Sequence, residues 1–172
     1  MHKEPLYILY KKQTERLQMI KQVTIFDLDG TVIDSSHRQL YNANGKLNLN
    51  KWLENNTPEK IFKDKILPLA QEMRRRHKKG DYIIINTARC LSYADYEFMM
   101  ENGIFADKII DRPNGNMEND AKLKRKQLNS FLSLKQFKQA HKIMFDDNNE
   151  VRSLLRQIGI SVIHPNKYNK VA

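Results

Sequence analysis

Five short apolar runs punctuate the chain, and longer stretches of mixed polarity fill the intervals between them. The runs are Val23-Thr24-Ile25-Phe26, Tyr82-Ile83-Ile84-Ile85, Lys108-Ile109-Ile110, Ile143-Met144-Phe145 and Ile160-Ser161-Val162-Ile163. They are rich in β-branched residues and lack strict alternation, which suits strands covered on both faces, as in a parallel sheet. Helical patterns lie between them. Pro58 to Lys79 opens with Thr57-Pro58-Glu59, a cap followed by proline in the first turn, and ends at Gly80. Ser92 to Asn102 ends at Gly103, and Asn148 to Ile158 ends at Gly159. Asn119 to about Ser133 carries Leu123, Leu128, Phe131 and Leu132. An N-terminal helical extension is expected over residues 1–20, with Leu6, Leu9, Leu17 and Ile20 near one stripe. Repeated strand-helix-strand units predict an α/β fold, a doubly wound parallel sheet with right-handed crossovers.

In such sheets ligands sit outside the carboxyl ends of the strands. That rule gathers Asp27, Thr87 and Asp146 at one rim, since each follows its strand. Residues 32–57, within the main domain of 21–172, are polar and Asn-rich with no clear period. They read as a small flap over the rim, too short for a closed cap domain.

The chain has 172 residues, enough for one compact α/β domain. Hydrophobic residues make up 40% of it, so a core can form and global disorder is unexpected. No apolar run approaches the ~20 residues needed to span a bilayer, and the N-terminus has no signal-peptide pattern. The single cysteine, Cys90, excludes an intrachain disulfide and fits a reducing compartment such as cytosol. The formal net charge of +10 favours an anionic partner. Two basic clusters stand out: Lys122, Lys124, Arg125 and Lys126, continuing to Lys135, Lys138 and Lys142, and a second of Arg74, Arg75, Arg76, Lys78 and Lys79. Either is an ordinary solvated helix face unless both flank one cleft.

Four fragments carry candidate chemistry. Asp27-Leu28-Asp29-Gly30-Thr31 places two carboxylates just past a strand, where their repulsion calls for a cation or a shared proton. Gly30 allows a sharp turn and close approach to a ligand. Asn86-Thr87-Ala88-Arg89 offers a hydroxyl and backbone N–H groups to a phosphate, or merely a helix cap. Arg112-Pro113-Asn114-Gly115, running through Asp120 to Lys124, is either a turn into a basic helix or the carrier of a phosphate-neutralising lysine. Asp146-Asp147-Asn148-Asn149 either caps a helix or completes an oxygen shell for a hard cation such as Mg²⁺. No His/Cys cluster suggests zinc.

Taken in order, strand-DxDGT, strand-Thr, Lys and strand-DD, the chain resembles the haloacid dehalogenase (HAD) superfamily of phosphohydrolases. The third fragment, RPNGNMENDAKLK, is similar to the RPxGDxRxDxxxK stretch of the phosphatase domain of phage polynucleotide kinases, with Asn116 and Glu118 departing from it. No GxxxxGK[ST] phosphate loop of a kinase half is present. The resemblance implies a HAD-like Rossmannoid fold with a minimal cap. It implies Asp27 as nucleophile and Asp29 as general acid and base. It also implies Mg²⁺ held by Asp27, the Asp29 backbone carbonyl and Asp146, with Asp147 acting through water, and phosphate contacts from Thr87 and Lys124. Gly30, Thr31, Ala88, Arg89 and Arg112 are expected around the substrate, with Arg89 open between substrate phosphate and an ion pair behind the site.

The expected activity is a Mg²⁺-dependent phosphomonoesterase, with polynucleotide 3′-phosphate ends as first substrate class. The alternatives are a 5′-nucleotidase on (deoxy)nucleoside monophosphates, and a nucleic-acid-binding or host-targeting protein on a phosphatase fold.

Overall fold

The computed structural model describes residues 20–45 and 47–170. The expected N-terminal helix therefore lies outside the described residues, save Ile20 at its end. Five parallel strands form the central sheet: β1 (Gln22–Phe26), β4 (Tyr82–Asn86), β5 (Lys108–Ile110), β6 (His141–Phe145) and β7 (Ser161–Ile163). Their order is β5-β4-β1-β6-β7. A small antiparallel pair, β2 (Ile33–Asp34) and β3 (Lys65–Ile66), stands apart.

Strand alternation sorts the core into two layers. Phe26, Ile83, Ile85 and Phe145 face one side, packing with Leu69 and Met73 of helix α3 (Leu69–Lys78) and with Phe98 and Met99 of α4 (Tyr93–Glu101). Val23, Ile25, Ile84 and Met144 face the other, with Ala121, Leu128 and Leu132 of α5 (Asp120–Leu132) and Val151 and Leu155 of α6 (Asn149–Arg156). Ile25 and Phe26 are both fully buried. Each such side chain contributes about 1.5–3 kcal/mol relative to exposure.

The chain leaves β1 toward β4 and β5, then returns to the other side of β1 as β6. That reversal makes the β1/β6 boundary the topological switch point, where open α/β sheets bind ligands. Asp27 is the first residue past β1, and its N–H donates to the Phe145 carbonyl at 2.9 Å, so the two strand ends are level.

The long helix expected from Pro58 to Lys79 is instead three elements: α2 (Pro58–Ile61), β3 and α3. Two features separate the pieces. Pro68 cannot continue a helix interior, since it lacks the N–H and crowds the preceding turn. Asp64, at 7% exposure, is turned inward to meet Arg38. The flap consequently runs past 57 to Ile66, adding β3, α2 and the short helix α1 (Leu49–Glu54) to β2.

Arg38 anchors this flap. Its Nε and Nη2 donate to the two Asp64 carboxylate oxygens at 2.9 and 2.7 Å, and Nη1 donates to Asn56 Oδ1 at 2.8 Å. The guanidinium carbon lies 4.5 Å from the Trp52 ring centroid. Breaking a buried pair of this kind costs about 3–5 kcal/mol. The flap is thus a packed unit with its own polar centre. No helix among the described residues is long and apolar enough to cross a membrane. The last helix, α7 (Asn166–Asn169), ties the C-terminal segment to the rim, because Asn169 Nδ2 donates to the Thr31 carbonyl at 2.9 Å.

Candidate active site

The carboxyl ends of β1 and β6 converge on one buried ammonium. Lys124, on the first turns of α5, donates to Asp27 Oδ1 at 2.7 Å and to Asp146 Oδ2 at 2.8 Å. Its side chain is 4% exposed. Burial disfavours the Lys124 charge, but Asp27 and Asp146 outweigh it and hold the ammonium above its ordinary pKa. Burial pushes the Asp27 carboxyl well above the usual carboxylate range. Lys124 opposes that shift, and Asp146 and Asp147 reinforce it. Burial likewise raises Asp147, with Asp146 adding to it.

One oxygen from each of Asp27, Asp146 and Asp147 lies within 4.8 Å of the others. Three carboxylates around one ammonium leave an excess of negative charge, and every donor in the set is a hard oxygen. Such a set fits a divalent cation of the Mg²⁺ type. Gly30 gives the cluster room. Its φ is +72°, and a Cβ there would stand 2.5 Å from Asp147 Oδ2.

The loop after β1 is held open toward the rim. The Leu28 carbonyl accepts from the N–H groups of Val32 and Ile33 at 2.9 and 3.0 Å, and the Ile33 carbonyl accepts from Gly30 N–H at 2.8 Å. The N–H groups of Leu28, Asp29 and Ala88 have no hydrogen-bond partner among the described residues. Amides without a protein partner beside a carboxylate cluster are free to donate to an oxyanion. Thr31 donates weakly to Asp27 Oδ2, at 3.4 Å. The Thr87 hydroxyl accepts from Arg89 N–H at 3.1 Å, which leaves its own hydrogen available.

Asp29 faces a different set of partners. Its Oδ1 accepts from Arg89 Nη1 at 2.9 Å and from Ser35 Oγ at 2.6 Å. Arg89 is in turn ion-paired to the buried Asp95 and lies 5.8 Å from the Trp52 ring centroid. Of the two roles open to Arg89, the structure favours the ion pair behind the site. At 6% exposure, between two carboxylates, it braces Asp29.

Arg112, expected beside the substrate, is bonded to the two loops next to the rim. Nε donates to the Ala88 carbonyl at 2.6 Å, Nη1 to the Glu118 carbonyl at 2.8 Å and to Asn116, and Nη2 to Asp120 at 2.6 Å. It stitches the loop after β4 to the loop before α5, and the departures at Asn116 and Glu118 lie inside that stitch.

Apart from Lys124, the basic residues of α5 turn away from the cleft. Lys122 and Lys126 are each two residues from Lys124, so at about 100° per residue they project from the opposite side of α5. With Arg125, Asn129, Leu154 and Ile158 they line an open groove of about 380 Å³ between α5 and α6. The second cluster lies at the C-terminal end of α3. There Arg74 donates to the carbonyls of Asn102 and Gly103, Arg75 pairs with Glu72, and Arg76 pairs with Glu72 and Asp81.

Ser35, Asp95 and Trp52 were not among the candidates. Asp95 had a legible signal, since Ser92-x-x-Asp95 is a capping-box pattern and the Asp95 carboxylate does accept from Ser92 N–H at 2.7 Å. Nothing in the sequence pointed to its second partner, Arg89.

Residues 10–172 match the sequence model of the Bacteriophage T5 5'-deoxynucleotidase family. The chain belongs to that family. The 5'-deoxynucleotidase of Escherichia phage T5 is 37% identical over 95 residues, which are 53% of this chain and 39% of that protein. The match thus spans less than half of that relative's length. Among solved structures, a haloacid dehalogenase-like hydrolase from Streptococcus pneumoniae gives a TM-score of 0.60 at 15% identity, covering 84% of both chains. A chain of the Pnkp1/Rnl/Hen1 RNA repair complex gives 0.56 at 22% identity, covering 84% of this chain and 42% of that one. At those identities the likeness establishes the fold, a HAD-like doubly wound sheet.

Proposed function

We propose that this protein is a metal-dependent phosphomonoesterase that removes the 5′-phosphate of deoxynucleoside monophosphates through an aspartyl-phosphate on Asp27. The carrying observation is that the Asp27 carboxylate lies against the Lys124 ammonium, beside three unpartnered backbone N–H groups. A carboxylate in that setting is aimed at an electrophile that itself bears anionic oxygens, which is a description of a phosphoryl group.

An Asp27 oxygen forms a bond to phosphorus while the bond from phosphorus to the nucleoside oxygen breaks, and that oxygen takes a proton from Asp29. Water then attacks the phosphorus, returns its proton to Asp29, and releases orthophosphate and the free Asp27 carboxylate. Lys124, the amides of Leu28, Asp29 and Ala88, and the Thr87 hydroxyl are donors for the equatorial oxygens. Asp27, Asp146 and Asp147 would hold Mg²⁺, with the Asp29 carbonyl alongside, and the ion would offset the charge of the phosphate.

Family membership supports the mononucleotide 5′-phosphate, and the placement of the basic residues supports it too. A polynucleotide substrate calls for cations along a track leading to the cleft. Here Lys122, Arg125 and Lys126, which have no ion-pair partner among the described residues, face a separate groove, and the arginines of α3 are tied in structural contacts.

The test is phosphate release from thymidine 5′-monophosphate, thymidine 3′-monophosphate and 3′-phosphorylated oligonucleotides. The highest kcat/KM is expected on the 5′-mononucleotide. Preference for the oligonucleotide 3′-end would replace this substrate with the polynucleotide one. Activity that survives Asp27→Asn would remove the nucleophile assignment.

A further inference from the structure

Among the described residues, the flap makes one hydrogen bond to a candidate catalytic carboxylate, through Ser35. This residue directly follows β2 and is 1% exposed. Its hydroxyl is 2.6 Å from Asp29 Oδ1, and Gln39 Nε2 donates to the same hydroxyl oxygen at 3.1 Å. The Gln39 hydrogen occupies one side of the Ser35 oxygen, so the Ser35 hydrogen is directed to Asp29. Arg89 Nη1 adds a second donor to the same Asp29 oxygen at 2.9 Å, and Arg89 is itself fixed by Asp95. Asp29 Oδ2 has no hydrogen-bond partner among the described residues.

The two carboxylate oxygens are therefore unequal. Oδ1 receives two hydrogens, one from the flap and one from the loop after β4. A proton on Oδ1 would meet both head-on. We propose that Ser35 is a positioning residue that holds Asp29 by Oδ1, so that Oδ2 is the oxygen presented to the departing nucleoside oxygen and then to water. This inference rests on the phosphatase reading and deepens it. Arg89 alone supplies one anchor, about which the carboxylate can still swing. The second anchor comes from a segment whose own position is set by Arg38 and Asp64. A well-placed flap is thus needed for a well-aimed acid.

The consequence differs between leaving groups. A nucleoside alkoxide needs a proton to depart, whereas p-nitrophenolate leaves without one. Ser35→Ala should lower kcat/KM on thymidine 5′-monophosphate by roughly ten- to hundredfold, a fraction of what a positioned general acid contributes. On p-nitrophenyl phosphate the same variant should stay within about threefold of wild type, because kcat/KM there reports a step that does not use the proton. Its melting temperature should fall by only a few degrees, the cost of one buried hydroxyl and its two hydrogen bonds. Ser35→Thr keeps the hydroxyl and should be faster than Ser35→Ala on the nucleotide.

Equal losses on both substrates would make Ser35 merely structural and overturn the proposal, as would no loss on either. A Thr variant that folds and is as slow as the Ala variant would also overturn it. Wild-type protein that hydrolyses neither substrate would instead overturn the phosphatase reading, and this inference with it.

Discussion

Lys124 and Asp27 are 97 positions apart in the chain and 2.7 Å apart in the fold. The contact joins α5, packed across β1 and β6, to the end of β1. Lys124→Ala would leave Asp27, Asp146 and Asp147 with no buried counter-charge. Removing one partner of a buried pair costs about 3–5 kcal/mol, and losing a donor to the transferring phosphoryl group costs roughly a hundredfold or more in kcat. The variant should melt lower than wild type in chelator, with much of the deficit restored by Mg²⁺. Steady-state kinetics and melting curves with and without the ion would check both parts.

The carboxylate cluster makes metal dependence a sharp expectation. EDTA should abolish turnover, and Mg²⁺ or Mn²⁺ should restore it, because only hard oxygen donors are present. Mg²⁺ should also raise the melting temperature, as any ligand of the native state does. Asp146→Asn should lose most of that shift. Full activity in chelator would remove the metal from the mechanism.

Gly30→Ala tests the space around Asp147. The substitution places a methyl carbon where Asp147 Oδ2 lies 2.5 Å away, at a φ of +72°. The Asp147 side chain must shift, and with it the cation site. The Mg²⁺ concentration for half-maximal activity should rise roughly tenfold, the scale of disturbed support around a metal. A titration of activity against Mg²⁺ measures it.

Glu72 gives a pH prediction away from the site. The hydrogen bond from Arg75, foremost, holds its carboxyl below the ordinary value of 4.5; burial opposes this, and Arg76 adds to it. A depressed folded-state pKa contributes stability that is fully present above the unfolded value. That contribution is lost as pH falls through the folded one. Glu72→Gln should therefore melt lower than wild type near neutral pH, and the two should converge as pH drops below about 4. A constant difference from pH 7 to pH 3 would contradict the linkage.

Charge reversal in the α5/α6 groove tests whether that groove takes part in mononucleotide hydrolysis. Lys122→Glu, Arg125→Glu and Lys126→Glu together should leave kcat/KM on thymidine 5′-monophosphate within about twofold of wild type, the screened effect of exposed charges away from the reacting phosphate. A tenfold drop would put the groove on the substrate's path.

Much of the site was legible because its chemistry follows strands directly. Asp27, Thr87 and Asp146 could be placed at one rim from apolar runs alone, and Gly30 could be read as a turn. Lys124 was found through its position in a motif, and its partner Asp146 is 22 positions away. The flap was not legible to the same degree. A helical period running from Pro58 to Lys79 concealed the break at Pro68. The event that turns the chain there, Arg38 meeting Asp64, is a contact between residues 26 positions apart with no local signature. Arg89 was undecidable for the same reason, since its carboxylate partner Asp29 is 60 positions away. Arg112 was expected beside the substrate because it fits a motif. Its five acceptor atoms, three of them backbone carbonyls, leave little trace in side-chain identity.

The chain contains one tryptophan, and it lies in the flap. Trp52 is 9% exposed and sits beside Arg38 of its own segment and Arg89 of the sheet rim, at 4.5 and 5.8 Å. Any displacement of the flap relative to the rim changes the distance between the indole and a fixed cationic neighbour. The protein thereby carries a built-in optical reporter, free of background from any second indole. In an Asp27→Asn variant that binds without turning over, its emission would time flap movement separately from phosphoryl transfer.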